Sequence, residues 1–161
     1  MPSKIPKKIV KRPPVVTIMG HVDHGKTTLL DAYRDSRIAE GEYGLITQSI
    51  GAFSIKTQKG SEITFIDTPG HEAFENMRER GAKVTDLIIL VVSATESAQK
   101  QTLEVIDIAK KYRIPTIVAI NKIDREEADI DAVMLDLINH DFVVEDLGGE
   151  VPSIPVSALQ K

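Results

Sequence analysis

The chain has no cysteine and no tryptophan, and aromatic residues make up only 4% of its 161 residues. The absence of cysteine excludes disulfides and thiolate metal sites, and it is compatible with a reducing compartment. With so few aromatics, a core has to be assembled from Val, Ile, Leu and Ala, which suits a parallel sheet buried on both faces. No apolar run is long enough to cross a bilayer, so no membrane partner is expected. Acid is missing from residues 1–14, where Lys4, Lys7, Lys8, Lys11 and Arg12 give +5 and leave −9 on the remainder of a chain whose net charge is −4. Such an arm can contact RNA or an acidic surface, and its plainer reading is a solvated linker. It has no apolar stretch of the secretory kind and lacks the Arg/Ser-rich look of a transit peptide.

What is present describes a globular domain. Hydrophobic residues make up 42% and charged residues 27%, outside the range of disordered chains. The length fits one domain over residues 15–161 behind the arm at 1–14.

One stretch organises the rest. Gly20-His21-Val22-Asp23-His24-Gly25-Lys26-Thr27 has two glycines separated by four residues and followed by Lys and a hydroxyl residue, the pattern of a phosphate-binding loop. It lies between the apolar run Val15–Met19 and the helix-permissive Thr28-Leu29-Leu30-Asp31-Ala32-Tyr33. In a strand–loop–helix of this kind, backbone N–H groups and the helix N-terminus face the phosphates. Val22, Asp23, His24, Gly25, Lys26, Thr27 and Thr28 are therefore the candidate phosphate contacts. Lys26 can reach the outer phosphates and Thr27 can place its hydroxyl on Mg²⁺.

The remaining pattern alternates strands and helices. The first helix is expected to run to about Ser36, and residues 37–51, with Gly41, Gly44 and Gly51, read as a long loop. Ala52–Lys56 and Ile63–Ile66, joined by Gln58-Lys59-Gly60-Ser61, predict a hairpin. Residues 72–82 are helix-permissive. Leu87–Val92 predicts a central strand and 99–112 a helix with Leu103, Ile106 and Ala109 inward. Pro115–Ile120 predicts a strand, and 126–140 a helix on Ile130, Val133, Met134, Leu137 and Ile138. The acids around that last helix (Glu126, Glu127, Asp129, Asp131, Asp136) read as a solvated face. Val151–Val156 predicts a final strand, placed at an edge by its two prolines. The expected fold is α/β, a P-loop NTPase with a mostly parallel, doubly wound sheet, one antiparallel hairpin strand and helices on both faces. The stretches at 20–27, 67–71, 121–124 and 157–159 all follow strands, so they converge on the carboxyl edge of the sheet, where ligands bind.

Asn121-Lys122-Ile123-Asp124 selects the base. The Asp124 carboxylate can accept from guanine N1–H and the 2-amino group, and adenine offers neither donor. Asn121 and Lys122 can brace the loop, with the lysine stem stacked on the base. Ser157-Ala158-Leu159 can offer a backbone N–H to guanine O6. GTP or GDP with Mg²⁺ is the expected ligand.

These residues resemble the translational GTPases, and in particular the G domain of bacterial-type translation initiation factor 2, including its mitochondrial form. The similarity spans residues 13–159. It is carried by Gly20–Asp31, Ile46-Thr47-Gln48, Thr64–Phe74, Met77-Arg78, Arg80-Gly81-Ala82, Val118–Lys122 and Pro155–Leu159. The resemblance implies several roles. Thr47 closes over Mg²⁺ and the γ-phosphate, and Asp67 holds Mg²⁺ through water. The Gly70 N–H senses the γ-phosphate, and His71 orients the attacking water. Val22 and Ile46 gate His71, and Asp23 touches the phosphates or a monovalent cation. No arginine in these motifs serves as an internal finger, so slow hydrolysis awaiting an activator is implied. The implied activator is the ribosome through its large-subunit RNA. Initiator tRNA is implied as a partner of domains outside this chain, which is expected to be a fragment lacking the fold's final helix. The chain departs from the family's pattern at Leu45, Ser49 and Thr95–Gln99. Leu45 replaces a glycine and stiffens the first switch. Lys100–Thr102 and Glu145–Gly149 lean toward the mitochondrial form, so the matrix or the bacterial cytoplasm is the implied compartment. Two other readings stay open: a translational GTPase of another step, such as an elongation or selenocysteine-type factor, and a GTP-binding ribosome-docking module with little hydrolysis.

Overall fold

Pro13 and Pro14 lead into an apolar strand that ends where Gly20 turns the chain out of the sheet. The computed structural model describes residues 12–34, 51–57, 60–68 and 83–160. Within them the order is β1 (Val15–Gly20), α1 (Lys26–Arg34), β2 (Gly51–Lys56), β3 (Glu62–Asp67), β4 (Leu87–Ser93), α2 (Lys100–Tyr112), β5 (Thr116–Asn121), α3 (Ile130–Asn139), a 3₁₀ turn at Glu145–Leu147 and β6 (Ser153–Pro155). Six strands form one sheet in the order β2-β3-β1-β4-β5-β6. Only the β2–β3 pair is antiparallel. The expected mixed, mostly parallel sheet is what forms.

Its register follows from burial on two faces. Along β4, Ile88, Leu90 and Val92 enter one core with Val105, Ile106 and Ala109 of α2 and Val133, Met134 and Leu137 of α3. Val91 turns the other way, into a second core with Val16, Ile18, Leu29 and Leu30. Helices therefore cover both faces, α2 and α3 on one and α1 on the other. A strand buried on both sides has no polar positions to alternate, which is why Leu87–Val92 reads as a continuous apolar run. Inward Ile106 and Ala109 agree with the helical spacing, while Leu103 is only partly buried against the core.

The hairpin forms as its alternation predicts, with Phe53 opposite Phe65 and Ile55 opposite Ile63. The two phenyl rings stack at 5.7 Å. In its turn, Gly60 takes φ +78° and donates to Thr57 O at 2.8 Å, a conformation that glycine adopts without strain. The last strand is shorter than its apolar run and lies at the sheet edge, as its prolines require.

Two expectations need correction. The helix predicted over 126–140 begins at Ile130, because Asp129 sits at its N-cap in an extended conformation and accepts from Ala132 N–H at 2.9 Å. Residues 125–128 form turns instead, with Ala128 N–H donating to Arg125 O at 3.2 Å. The acids of this region are also more than a solvated face, since Asp136 accepts from Ala98 N–H and thereby pins the β4–α2 loop. In the described part of the basic arm, Arg12 is anchored. Arg12 donates through both guanidinium nitrogens to Asp86, at 2.6 and 2.8 Å, and the same carboxylate accepts from Val15 N–H. Among the described residues no helix is long and apolar enough to cross a membrane.

Leu137 is 0% exposed, and Leu135 on the same helix is 57% exposed. Leu137→Ala is expected to destabilise by about 2–5 kcal/mol through lost burial and a residual cavity. Leu135→Ala is expected to stay within about 0.5 kcal/mol. Urea unfolding midpoints with a common slope check the contrast.

Candidate functional site

The site is a set of loops at the carboxyl ends of β1, β3, β4, β5 and β6. The β1–α1 loop begins it. Gly20 leaves the strand at φ +142°, and a Cβ there would lie 2.3 Å from Val91 O, so no side chain fits. Asp23 follows with φ +64°, exposed, in a region that Asp tolerates better than most residues. Gly25 takes φ +87°, and a Cβ there would lie 2.4 Å from Asn121 Nδ2. Helix α1 then opens with Leu29 N–H donating to Gly25 O at 2.9 Å, and its first turn carries no acid to compete for an anion. Lys26 is 6% exposed, and its ammonium donates to His21 O at 2.6 Å, folded over the loop.

His24 is one residue whose side chain does not face a ligand. It is completely buried, and its Nδ1 lies 3.2 Å from Val91 O, so a neutral ring donates from that nitrogen. Burial pushes its pKa down to about 3, with Lys26 and Lys122 adding repulsion. Its role in the expected phosphate site is confined to the backbone. His21 bonds through Nδ1 to Gln101 of α2, and its ring lies edge-on to His24 at 5.0 Å.

At the end of β3, Asp67 is 7% exposed and its Oδ2 lies 3.5 Å from Thr27 Oγ1. A hydroxyl and a carboxylate converging at a helix N-terminus are hard oxygen donors, which fits Mg²⁺ completed by phosphate and water ligands. Among the described residues no group of three or more His, Asp or Glu is placed to hold a metal ion, so no all-protein metal cage competes with that reading there. Thr68 donates to Ile18 O at 3.0 Å and ties the β3 exit to β1.

The base side of the site follows β5. Asn121 is 2% exposed, and its carboxamide has a partner at each end. Nδ2 donates to His24 O at 2.8 Å, and Oδ1 accepts from Ala158 N–H at 3.0 Å. Lys122 takes φ +65°. Asp124 Oδ1 accepts from Ser157 Oγ at 2.6 Å, and that bond holds its carboxyl below the usual range, hence ionised at neutral pH. Leu159 is 67% exposed beside an open groove of about 690 Å³ lined by Asp124, Arg125, Glu126 and Glu127.

The described candidates thus come together as the sequence predicts: Val22 to Thr28, Asp67, Asn121, Lys122, Asp124 and Ser157 to Leu159 meet at one sheet edge. Within Ser157-Ala158-Leu159, the segment expected to offer a backbone N–H to guanine O6, the Ala158 N–H is engaged by Asn121. Thr47, Gly70 and His71 lie outside the described residues, as do Ile46 and Leu45. Sequence reasoning missed Gln101 and Glu96. Glu96 had one available signal, its position after β4 at the same carboxyl edge as the recognised motifs, while Gln101, inside α2, had none.

The burial of His24 has a pH consequence. Its folded pKa is depressed below the ordinary 6.5, so the unfolded chain binds a proton first as pH falls. Its contribution to stability is complete above about pH 6.5 and is lost progressively toward pH 3. Replacing it by Gln removes that titration, so His24→Gln is expected to lose less stability between pH 7 and pH 5 than the unmodified protein. Paired urea titrations at the two pH values check this.

Comparisons with known proteins agree with this geometry. The model of the elongation factor Tu GTP binding domain matches residues 11–161. Proteins named translation initiation factor IF-2 are similar over nearly the whole chain. The one from Desulforapulum autotrophicum is 57% identical, covering 95% of this chain and 15% of its own length. Those from Desulforamulus reducens and Dinoroseobacter shibae are 55% and 53% identical, covering 99% and 96% of this chain and 16% and 18% of their own. This chain therefore spans less than a fifth of the length of these relatives. Among solved structures, a bacterial selenocysteine-specific elongation factor superposes with a TM-score of 0.74 at 28% identity, covering 93% of this chain and 26% of that one. The elongation factor SelB of Methanococcus maripaludis, in complex with a GTP analogue, gives 0.71 at 29% identity, covering 92% and 30%. With the family model spanning almost all of its length, the chain belongs to the family of the elongation factor Tu GTP-binding domain.

Proposed function

We propose that this chain is the GTP-binding and GTP-hydrolysing switch domain of a bacterial-type translation initiation factor, acting on the ribosome. The observation that carries nucleotide binding is Asn121, which bonds the phosphate loop at His24 O and the loop after β6 at Ala158 N–H. A site for phosphates and a site for a base are thereby held at a set distance, as a nucleotide requires. The similarity to initiation factors, at 53–57% identity, supports the step in translation. These relatives are bacterial, and the lean toward a mitochondrial form gains no support from them.

In this reading the β1–α1 loop and the start of α1 bind the phosphates. Lys26 leaves His21 O for the outer phosphates, exchanging one oxygen acceptor for a charged one. Thr27 and Asp67, joined by Thr47, would hold Mg²⁺, which when bound neutralises charge between the β- and γ-phosphates. Asp124 accepts from guanine N1–H and the 2-amino group, with Ser157 keeping it ionised and oriented. The Lys122 stem and Leu159 flank the base. The backbone N–H groups at 157–159 left after Asn121 takes that of Ala158 are available to O6. Gly70 senses the γ-phosphate, and His71 orients water for in-line attack, transferring the phosphoryl group to that water and releasing GDP. Without an arginine finger in the motifs, turnover is slow until the ribosome, through its large-subunit RNA, seats His71. Initiator tRNA is recognised by domains beyond this chain.

Two measurements test the proposal. Competition against labelled GDP is expected to show GTP displacing it about 100-fold better than ATP or more, since adenine leaves the Asp124 carboxylate unpaired. Asp124→Asn is expected to shift preference from GDP toward xanthosine diphosphate, because an amide can donate to the extra carbonyl of xanthine. Equal competition by ATP overturns the guanine assignment. For hydrolysis, His71→Ala is expected to lower single-turnover GTP cleavage on ribosomes by about 100-fold or more while leaving GDP affinity within about twofold. Unchanged cleavage overturns the role of His71, and absence of cleavage by the unmodified protein on ribosomes favours a docking module.

A further inference from the structure

Among the described residues, the loop after β4 is the one stretch of the sheet's carboxyl edge to which the proposed function assigns no work. Its sequence is Thr95-Glu96-Ser97-Ala98-Gln99. The loop is nevertheless firmly held. Asp129 N–H donates to Ala94 O at 2.8 Å, Thr95 N–H to Ser93 Oγ at 3.3 Å, and Ala98 N–H to Asp136 of α3. Glu96 is therefore presented from a backbone fixed on both sides.

Its carboxylate lies between the two halves of the nucleotide site. One oxygen, Oε2, is 3.6 Å from Nε2 of His24, on the buried side of the phosphate loop. The other, Oε1, is 3.8 Å from the Lys122 ammonium. His24 already donates from Nδ1 to Val91 O, and burial keeps the ring neutral, so the charge that answers Glu96 is that of Lys122. Lys122 leaves β5 in a left-handed conformation at φ +65°, which sets where its stem begins. Glu96 sets where it ends.

We propose that Glu96 is a positioning residue for nucleotide binding, which tethers the Lys122 ammonium beside the phosphate loop so that the lysine stem is already laid out where the base stacks. A free lysine side chain loses rotamer entropy when it is fixed. Holding it before the ligand arrives lowers that cost of binding, the general advantage of preorganisation. Glutamate has the reach for this from the β4 loop, and an aspartate would fall about one methylene short of one partner or the other. The inference rests on the guanine-nucleotide reading of the site, because it acts through Lys122.

The test is release of methylanthraniloyl-GDP by the purified protein and its Glu96→Gln, Glu96→Asp and Glu96→Lys variants, at low salt and at 1 M KCl. A part-exposed ion pair supports an effect of about threefold. Glu96→Gln is therefore expected to release GDP about threefold faster at low salt, with Glu96→Asp between it and the unmodified protein. Glu96→Lys is expected to be faster than either, because it repels Lys122. At 1 M KCl the ratio of Glu96→Gln to unmodified rates should fall toward one, since a pair open to solvent is screened. Thermal unfolding should stay within about 2 °C for Glu96→Gln. Release from Glu96→Gln as slow as from the unmodified protein overturns the proposal. So does a faster release that persists at 1 M KCl or follows a lowered unfolding temperature, as a general loosening of the fold would give. Failure of the underlying reading shows separately, in the unmodified protein, as no binding of the labelled GDP or its displacement by ATP as readily as by GTP.

Discussion

Everything at the carboxyl edge depends on one buried carboxamide. Asn121 ends β5, is almost wholly excluded from solvent and has a backbone partner for each of its polar ends. Leaving either end unpaired would cost roughly 1–3 kcal/mol in desolvation, so the side chain is held as firmly as the strand that carries it. It reaches the phosphate loop on one side and the chain after β6 on the other. Gly25 follows from this constraint, since any side chain there would collide with the Asn121 amide. Gly20 answers a similar demand at the exit of β1, where the loop must pass close to the backbone of β4.

The sheet makes that convergence possible. Parallel strands all end on the same side, so the loops after β1, β3, β4, β5 and β6 meet at a common edge. The hairpin β2–β3 lies at one end of the strand order, away from β5 and β6. Two separate cores, one under α2 and α3 and one under α1, keep β1, β4 and β5 rigid between them. Gly20 and Asn121 thus end two of these buried strands, β1 and β5, where small displacements are costly.

Much of this is legible in one dimension. Val15–Met19, Leu87–Val92 and Pro115–Ile120 are apolar runs with little alternation, and burial on both faces explains them. The glycine-bounded loop and Asn121–Asp124 each carry a chemical requirement, so their residue types announce phosphate and guanine. The start of α3 is not legible in the same way, because the residues at 126–128 are as compatible with a helix as with the turns they form. Capping by Asp129 becomes decisive only once the preceding segment is docked on Ala94 O. Nor is the approach of Glu96 to His24 and Lys122 legible, because along the sequence Glu96 looks like any surface acid.

The sequence by itself determined which strands are central and at which edge the candidate site residues gather, because periodicity and residue chemistry are local properties. Tertiary structure alone decided how those pieces are joined. It buried the His24 ring against Val91, committed the Ala158 N–H to Asn121 and brought Asp136 to the β4 loop. The Asn121–Ala158 and Ala98–Asp136 pairs are 37 and 38 positions apart, and Asn121 and His24 are separated by 97. No local pattern encodes such pairs, since the free energy that selects them belongs to the folded sheet and not to either segment.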